Sequence, residues 1–178
     1  MPRQKIDPAH FSPDTQHFIA LLHHYGVRYL IVGGEAVIFH GYARYTGDVD
    51  FLYERSEPNA NALYAALHSF WDGDIPGVAS VDELLEDAIV VQFGRPPNRI
   101  DLLSSIDGVA FEEAWSARVT AELSAKPGDD PIPVFILGFE ALLKNKAASA
   151  RAKDLDDLRY LGGAAEGRHK SDEATDCP

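Results

Sequence analysis

Cysteine is nearly absent from this chain of 178 residues. The one thiol, Cys177, stands next to last, so no disulfide can form within the sequence. That is compatible with a reducing compartment. Long apolar runs are missing too, and none approaches the ~20 residues that cross a bilayer. The opening Met1-Pro2-Arg3-Gln4-Lys5 lacks the apolar centre of a signal peptide. Together these absences read as a cytoplasmic protein with no membrane contact. Basic residues are scarce, 16 Lys and Arg against 28 Asp and Glu, for a net charge of −12. Broad DNA or RNA binding needs phosphate neutralisation by Lys and Arg, so it is not expected here, though a local basic site stays open. No internal repeat divides the chain. Its length suits one domain with a sizeable core.

Local patterns outline a mixed α/β fold. Residues 1–11 read as a flexible N-terminal arm. Ser12-Pro13 has the form of a helix N-cap followed by proline at the first helical position. Phe18, Ile19, Leu21 and Leu22 supply that helix with an apolar face, and Gly26 stops it. Val27 to Val32 reads as a buried strand, Glu35 to Tyr42 as a helix after the Gly33-Gly34 turn, and Val49 to Glu54 as a second strand. A helix follows Glu57-Pro58 with Leu63, Leu67 and Phe70 on one face. Ser80-x-x-Glu83 has the form of a capping box. Ala88 to Phe93 and Arg99 to Leu103 bracket a long turn and predict a hairpin. Asp107 is expected to cap a helix running to about Ala117. Short strands follow at Val119 to Leu123 and Ile132 to Ile136, around a Pro/Gly/Asp loop at 126–131. Helices at Phe139 to Ala150 and about Asp154 to Leu161 close the fold. The expected plan is one domain over 12–162, with 139–162 a helical appendix and 163–178 a polar, disordered tail.

The chemistry gathers on three aspartates. Asp48 and Asp50 stand in Thr46-Gly47-Asp48-Val49-Asp50-Phe51-Leu52, and Asp101 in Arg99-Ile100-Asp101-Leu102-Leu103. A strand sends alternate side chains to one face, so Asp48 and Asp50 become neighbours that repel unless a cation lies between them. Mg²⁺ takes hard oxygen ligands, usually one or two carboxylates plus substrate phosphates. Gly33-Gly34 at a strand-to-helix turn lets backbone approach a ligand and aims free N–H groups at an anion. Taken alone, a glycine pair after a strand is more often only a turn.

Together the Gly-Gly turn, Asp-x-Asp on the next strand and a separate Asp on a later strand resemble the nucleotidyltransferase superfamily with a DNA polymerase β-like core. Gly-Gly-x-Ala, His-Gly, Arg and Thr-x-Asp-x-Asp resemble in particular the small bacterial minimal nucleotidyltransferases related to AbiEii-type toxins. The resemblance covers roughly residues 14 to 161. It implies a short mixed sheet flanked by helices, with Gly33 and Gly34 on the triphosphate of an incoming NTP. It implies that Asp48 and Asp50 ligate Mg²⁺, one ion or two, with Mn²⁺ as a possible substitute. Asp101 would be the third acid, as metal ligand or general base. The cleft so formed should hold the three carboxylates within roughly 8 Å, since Mg²⁺ ligation puts oxygens about 2.0–2.1 Å from each ion.

Lys144, Lys146, Arg151 and Lys153 form a cation cluster in an acidic chain, with Lys144, Ala148 and Arg151 at i, i+4, i+7. The cluster resembles the family's Lys … Arg-x-Lys-Asp-Leu-x-Asp-Leu element, which meets phosphates. Cations complementing a helix C-terminus are the other reading. Arg44 reads as a phosphate or acceptor contact, or as a surface salt bridge. His40 is expected to be packed rather than catalytic, Glu35 to be a first-turn anion, and Asp156 and Asp157 to be first-turn anions of the last helix. Tyr42 and Tyr45 read as packing rather than base stacking.

Two functions fit. The first is an Mg²⁺-dependent nucleotidyltransferase that moves NMP from an NTP to a hydroxyl on tRNA, protein or a small molecule, with a small protein partner if it belongs to a toxin–antitoxin pair. The second is a catalytically silent module of the same fold, an antitoxin-like partner. The intact acids favour the first.

Overall fold

Ser12 opens the first long helix as its sequence predicts. Its hydroxyl accepts from the Thr15 N–H at 3.1 Å, and Pro13 takes the first helical position. That helix, α1 (Pro13–His24), buries Phe18, Ile19 and Leu22, and Gly26 follows it in the left-handed region. The structure, a computed structural model, describes residues 4–124 and 130–173, with side chains through residue 163. Within that span it is a mixed α/β domain built on one seven-stranded sheet.

In chain order the strands are β1 (Lys5–Ile6), β2 (Tyr29–Val32), β3 (Asp48–Tyr53), β4 (Val90–Phe93), β5 (Arg99–Leu103), β6 (Val119–Leu123) and β7 (Ile132–Ile136). Their order in the sheet is β1-β6-β7-β2-β3-β5-β4. The pairs β3–β5 and β2–β7 are parallel, while β2–β3, β4–β5 and β6–β7 are antiparallel. The expected 88–103 hairpin is therefore β4–β5. The other helices are α2 (Gly33–Phe39), α3 (Glu57–Phe70), α4 (Phe111–Ser116), α5 (Phe139–Ser149) and α6 (Ala152–Glu173).

Strand parity separates core from chemistry. On β3, Val49, Phe51 and Tyr53 point to the face covered by α1 and α3. Phe51 is fully buried and meets the Phe18 ring edge-on at 5.4 Å. Truncating a buried phenylalanine of this kind costs about 3–5 kcal/mol. Asp48 and Asp50 face the other way, toward α5 and the start of α6.

Several local expectations are corrected. Residues 4–11 are not a loose arm. Lys5 and Ile6 pair in parallel with Glu122 and Leu123, Asp7 caps a 3₁₀ turn at Pro8–His10, and Phe11 is buried. The polar composition hid a strand whose partner lies far along the chain. Helix α2 starts at Gly33, not Glu35, and is only seven residues long. Asp107 caps nothing: after Gly108 turns with positive φ, α4 starts at Phe111 behind Ala110. Ser80 makes no capping bond. Glu83 accepts instead from the N–H of Ala79, one residue before the expected cap, at 3.1 Å, and the element is a 3₁₀ turn. Helix α6 runs past Gly162 and Gly163 to Glu173. An internal glycine costs a helix only about 1 kcal/mol against alanine, and helix-forming residues follow on. Most of the 126–131 loop, the end of the expected tail at 174–178, and Cys177 with it lie outside the described residues. Among the described residues no helix is long and apolar enough to cross a membrane.

Candidate active site

The parallel pairing of β3 with β5 builds the site. Its register sets Asp50 beside Asp101 and Asp48 beside Arg99. Ligand oxygens of Asp48, Asp50 and Asp101 all lie within 4.8 Å of one another. The three acids thus converge more tightly than the expected 8 Å. That spacing suits oxygen ligation of a hard divalent cation, which is the donor set such an ion prefers. Strand β2 ends opposite Asp50, with Val32 as its register partner, and the chain turns at once into Gly33.

Both glycines are required by what surrounds them. Gly33 has φ +60°, and a Cβ there would lie 1.8 Å from Asp50 Oδ2. A Cβ on Gly34 would lie 2.5 Å from Thr46 Oγ1 and 3.1 Å from Arg44 Nη2. The backbone is thereby brought against the carboxylates, where a larger residue would fill the space. With only seven residues, α2 offers little macrodipole to an anion, and its contribution here is the close backbone approach.

The carboxylates differ in their surroundings. Asp101 is buried. Its Oδ1 accepts from Arg99 Nε at 2.7 Å, and its Oδ2 accepts from Arg99 Nη2 and Gln92 Nε2, each at 2.9 Å. Arg99 Nη2 also donates to Asp48 Oδ2 at 2.5 Å, and Thr46 Oγ1 donates to Asp48 Oδ1 at 3.0 Å. The Asp50 carboxylate accepts no hydrogen bond among the described residues. Burial first, then the charges of Asp48 and Asp101, push its carboxyl from the usual 3.8 up to about 6, against the pull of Lys153 and Lys146.

These groups line a cleft of about 560 Å³ between the sheet and the α5–α6 junction. Gly33, Gly34, Lys146, Arg151 and Lys153 line it as well. Lys144 does not. Helix α5 ends at Ser149, Ala150 takes left-handed geometry, and the expected stripe from Lys144 to Arg151 is broken. Lys144 instead reaches Glu113 of α4 at 2.8 Å on the surface. Arg44 also stays out of the cleft wall. Its Nε lies 2.9 Å from Asp157 Oδ1, so the salt bridge is formed but with a buried partner rather than on the surface.

Asp157 is not a solvated first-turn anion. It is 1% exposed and sits 3.0 Å from Lys146 Nζ, which also donates to Asp154 Oδ1 at 2.7 Å. Burial raises the Asp154 carboxyl, but hydrogen bonds from Lys146, Arg151 and Ser149 outweigh it and hold the group well below the usual carboxylate range. Lys146 is therefore a buried, doubly paired cation at the cleft wall. Arg151 bonds Asp154 through Nε at 2.7 Å and is otherwise open to solvent, and Lys153 makes no salt bridge among the described residues. Those two are the cations at this wall free to meet an anion.

The lesser expectations sort similarly. His40 is packed, with Nε2 2.8 Å from the Leu137 carbonyl. Glu35 is in the first turn of α2 but buried, bonded to His10 Nε2, and burial raises its carboxyl against the opposing pull of His10. Tyr42 stacks on Tyr160 at 4.1 Å, while Tyr45 is exposed. Arg99 and Gln92 complete the site beyond the three acids. Strand alternation alone puts Arg99 on the face of Asp101. Gln92 needed the hairpin register that sets it opposite Asp101.

No family model and no curated protein matches this chain.

Proposed function

We propose that this protein is a nucleotidyltransferase of the DNA polymerase β-like type, moving an NMP from an NTP to a hydroxyl acceptor. The observation that carries the reading is the set of three aspartate oxygens within 4.8 Å, faced by the Gly33 backbone. Asp48, Asp50 and Asp101 would hold Mg²⁺, or Mn²⁺ in its place. The bound ion would supply charge neutralisation for the phosphates and for the oxygens that attack and leave.

The chain's own residues do the rest. Gly33 and Gly34 let the triphosphate lie close to the carboxylates. Arg151 and Lys153 face the cleft with charge to spare and suit the phosphate chain. Lys146 adds a fixed positive field at the same wall. The acceptor oxygen bonds to the α-phosphorus as the bond from that phosphorus to the bridging oxygen breaks, and pyrophosphate leaves. The acceptor proton passes to a cleft carboxylate. Arg99 and Gln92 hold the Asp101 carboxylate in place beside Asp50. Positioning and preorganised charge do the work, with no covalent intermediate. An NTP-consuming reaction belongs in the cytoplasm. The acceptor classes remain tRNA, protein or a small molecule, and a small partner protein would accompany a toxin–antitoxin role.

One observation favours the alternative, a catalytically silent module. Arg99 already bridges Asp48 and Asp101, as a substitute cation would in a degenerate site. Incubation with each α-labelled NTP, Mg²⁺ and cell extract separates the two. Label carried into RNA, protein or a small-molecule fraction supports transfer and names the acceptor class. Absence of transfer, together with no Mg²⁺–NTP stabilisation in thermal melts, refutes it.

A further inference from the structure

The geometry points to Arg99 as an exchangeable counter-cation: its guanidinium holds Asp48 and Asp101 together until a divalent cation arrives, and then turns outward to the phosphates. This rests on the nucleotidyltransferase reading of the same cleft. Three carboxylates within 4.8 Å repel strongly, and Arg99 answers two of them with three hydrogen bonds. It engages both oxygens of Asp101 and one of Asp48. Arg99 occupies carboxylate oxygens that an ion shared by all three acids would take. Two cations drawn to the same oxygens repel, so an ion held by all three acids would favour departure of Arg99.

The cations near the acids differ in their freedom to leave. Lys146 is 2% exposed and clamped between Asp154 and Asp157. Arg99 is 27% exposed and starts β5, beside the turn at 94–98. Its long side chain reorients by rotamer changes, with no break in the sheet. Once outward, it lies on the cleft rim, where a triphosphate brings negative charge. Metal without nucleotide must evict Arg99 at full cost, whereas metal with nucleotide offers the guanidinium a new partner. Arg99 thereby couples metal occupancy to nucleotide occupancy.

Mn²⁺ titration followed by electron paramagnetic resonance tests this without reference to activity. The chain is compared as wild type, Arg99→Gln and Arg99→Lys, with and without a non-hydrolysable NTP analogue. Arg99 competes for the same carboxylate oxygens, so removing its charge should tighten Mn²⁺ binding at least about tenfold without nucleotide. Arg99→Lys should fall between, because an ammonium keeps the charge but cannot fork across both acids. With the analogue, wild type should gain more affinity than Arg99→Gln. Equal or weaker Mn²⁺ binding by Arg99→Gln overturns the inference while leaving the metal site intact. No Mn²⁺ binding by either protein overturns the site reading as well. Should Arg99→Gln fail to fold, Arg99→Lys carries the comparison, and unchanged affinity there overturns the exchange.

Discussion

Replacing Asp50 by Asn tests the site from two directions at once. The substitution keeps shape and removes one charge. At pH 8 the wild-type Asp50 is ionised although burial and its two acidic neighbours have raised its pKa from 3.8 to about 6. A change of about two in pKa corresponds to about 3 kcal/mol, an upper figure in a cleft that water enters. The sign follows from linkage. The folded value lies above the unfolded one, so the protonated group stabilises the fold fully below about pH 4, and that contribution is lost as pH rises through about 6. Asn does not titrate, so it should gain on the wild type between pH 4 and 6 and hold the advantage above. For a domain of this size about 1 kcal/mol moves Tm by about 2–4 °C, so apo Asp50→Asn should melt about 4–10 °C higher at pH 8 and nearly level at pH 4. Transferase activity should fall on the order of 10²–10³-fold or more, because a ligand to the charge-neutralising ion is gone. Mg²⁺ with NTP should raise the wild-type Tm and leave the variant unmoved. Calorimetry across pH, with and without Mg²⁺ and each NTP, reads all of this. An apo variant that melts below wild type at pH 8 would make the acid pair structural. A variant that keeps the Mg²⁺–NTP shift would remove Asp50 from the nucleotide site.

Gly33→Ala should lose the Mg²⁺–NTP shift and about 1–3 kcal/mol of stability, read by the same melts, because its Cβ collides with Asp50 at positive φ. Lys146→Met should cost about 3 kcal/mol or more in urea unfolding, since Asp154 and Asp157 would keep buried charges with fewer partners. Lys144→Ala should change stability by less than about 0.5 kcal/mol and leave nucleotide titrations unchanged, because its Glu113 pair is half exposed and outside the cleft.

Much of the framework was legible because its signals are local. Ser12-Pro13 caps its helix with a hydroxyl three residues from the N–H it receives, the helix after Glu57-Pro58 starts at Glu57, and the strand runs fall where apolar residues cluster. Asp48 and Asp50 had to share a face because alternation along a strand needs no partner. The placement of Gly33 against Asp50 likewise follows from a strand-to-helix turn at the end of β2, the strand that pairs with β3.

The misjudged residues all depend on neighbours distant in sequence. Lys5 and Ile6 look unstructured until β6 provides a ladder. Lys144 and Arg151 share a stripe only on an unbroken helix, and Ala150 breaks it. Asp157 looks solvated until α5 brings Lys146 and the segment before β3 brings Arg44. A single chain can specify alternation, caps and breaks by sterics and hydrogen bonds within a few residues. The β3–β5 register is different. It sets Asp101 beside Asp50 and lets Arg99 bridge to Asp48 across two strands far apart in the chain. A one-residue slip would turn those side chains to the opposite face, and only the packing of the whole sheet against α1 and α3 excludes it.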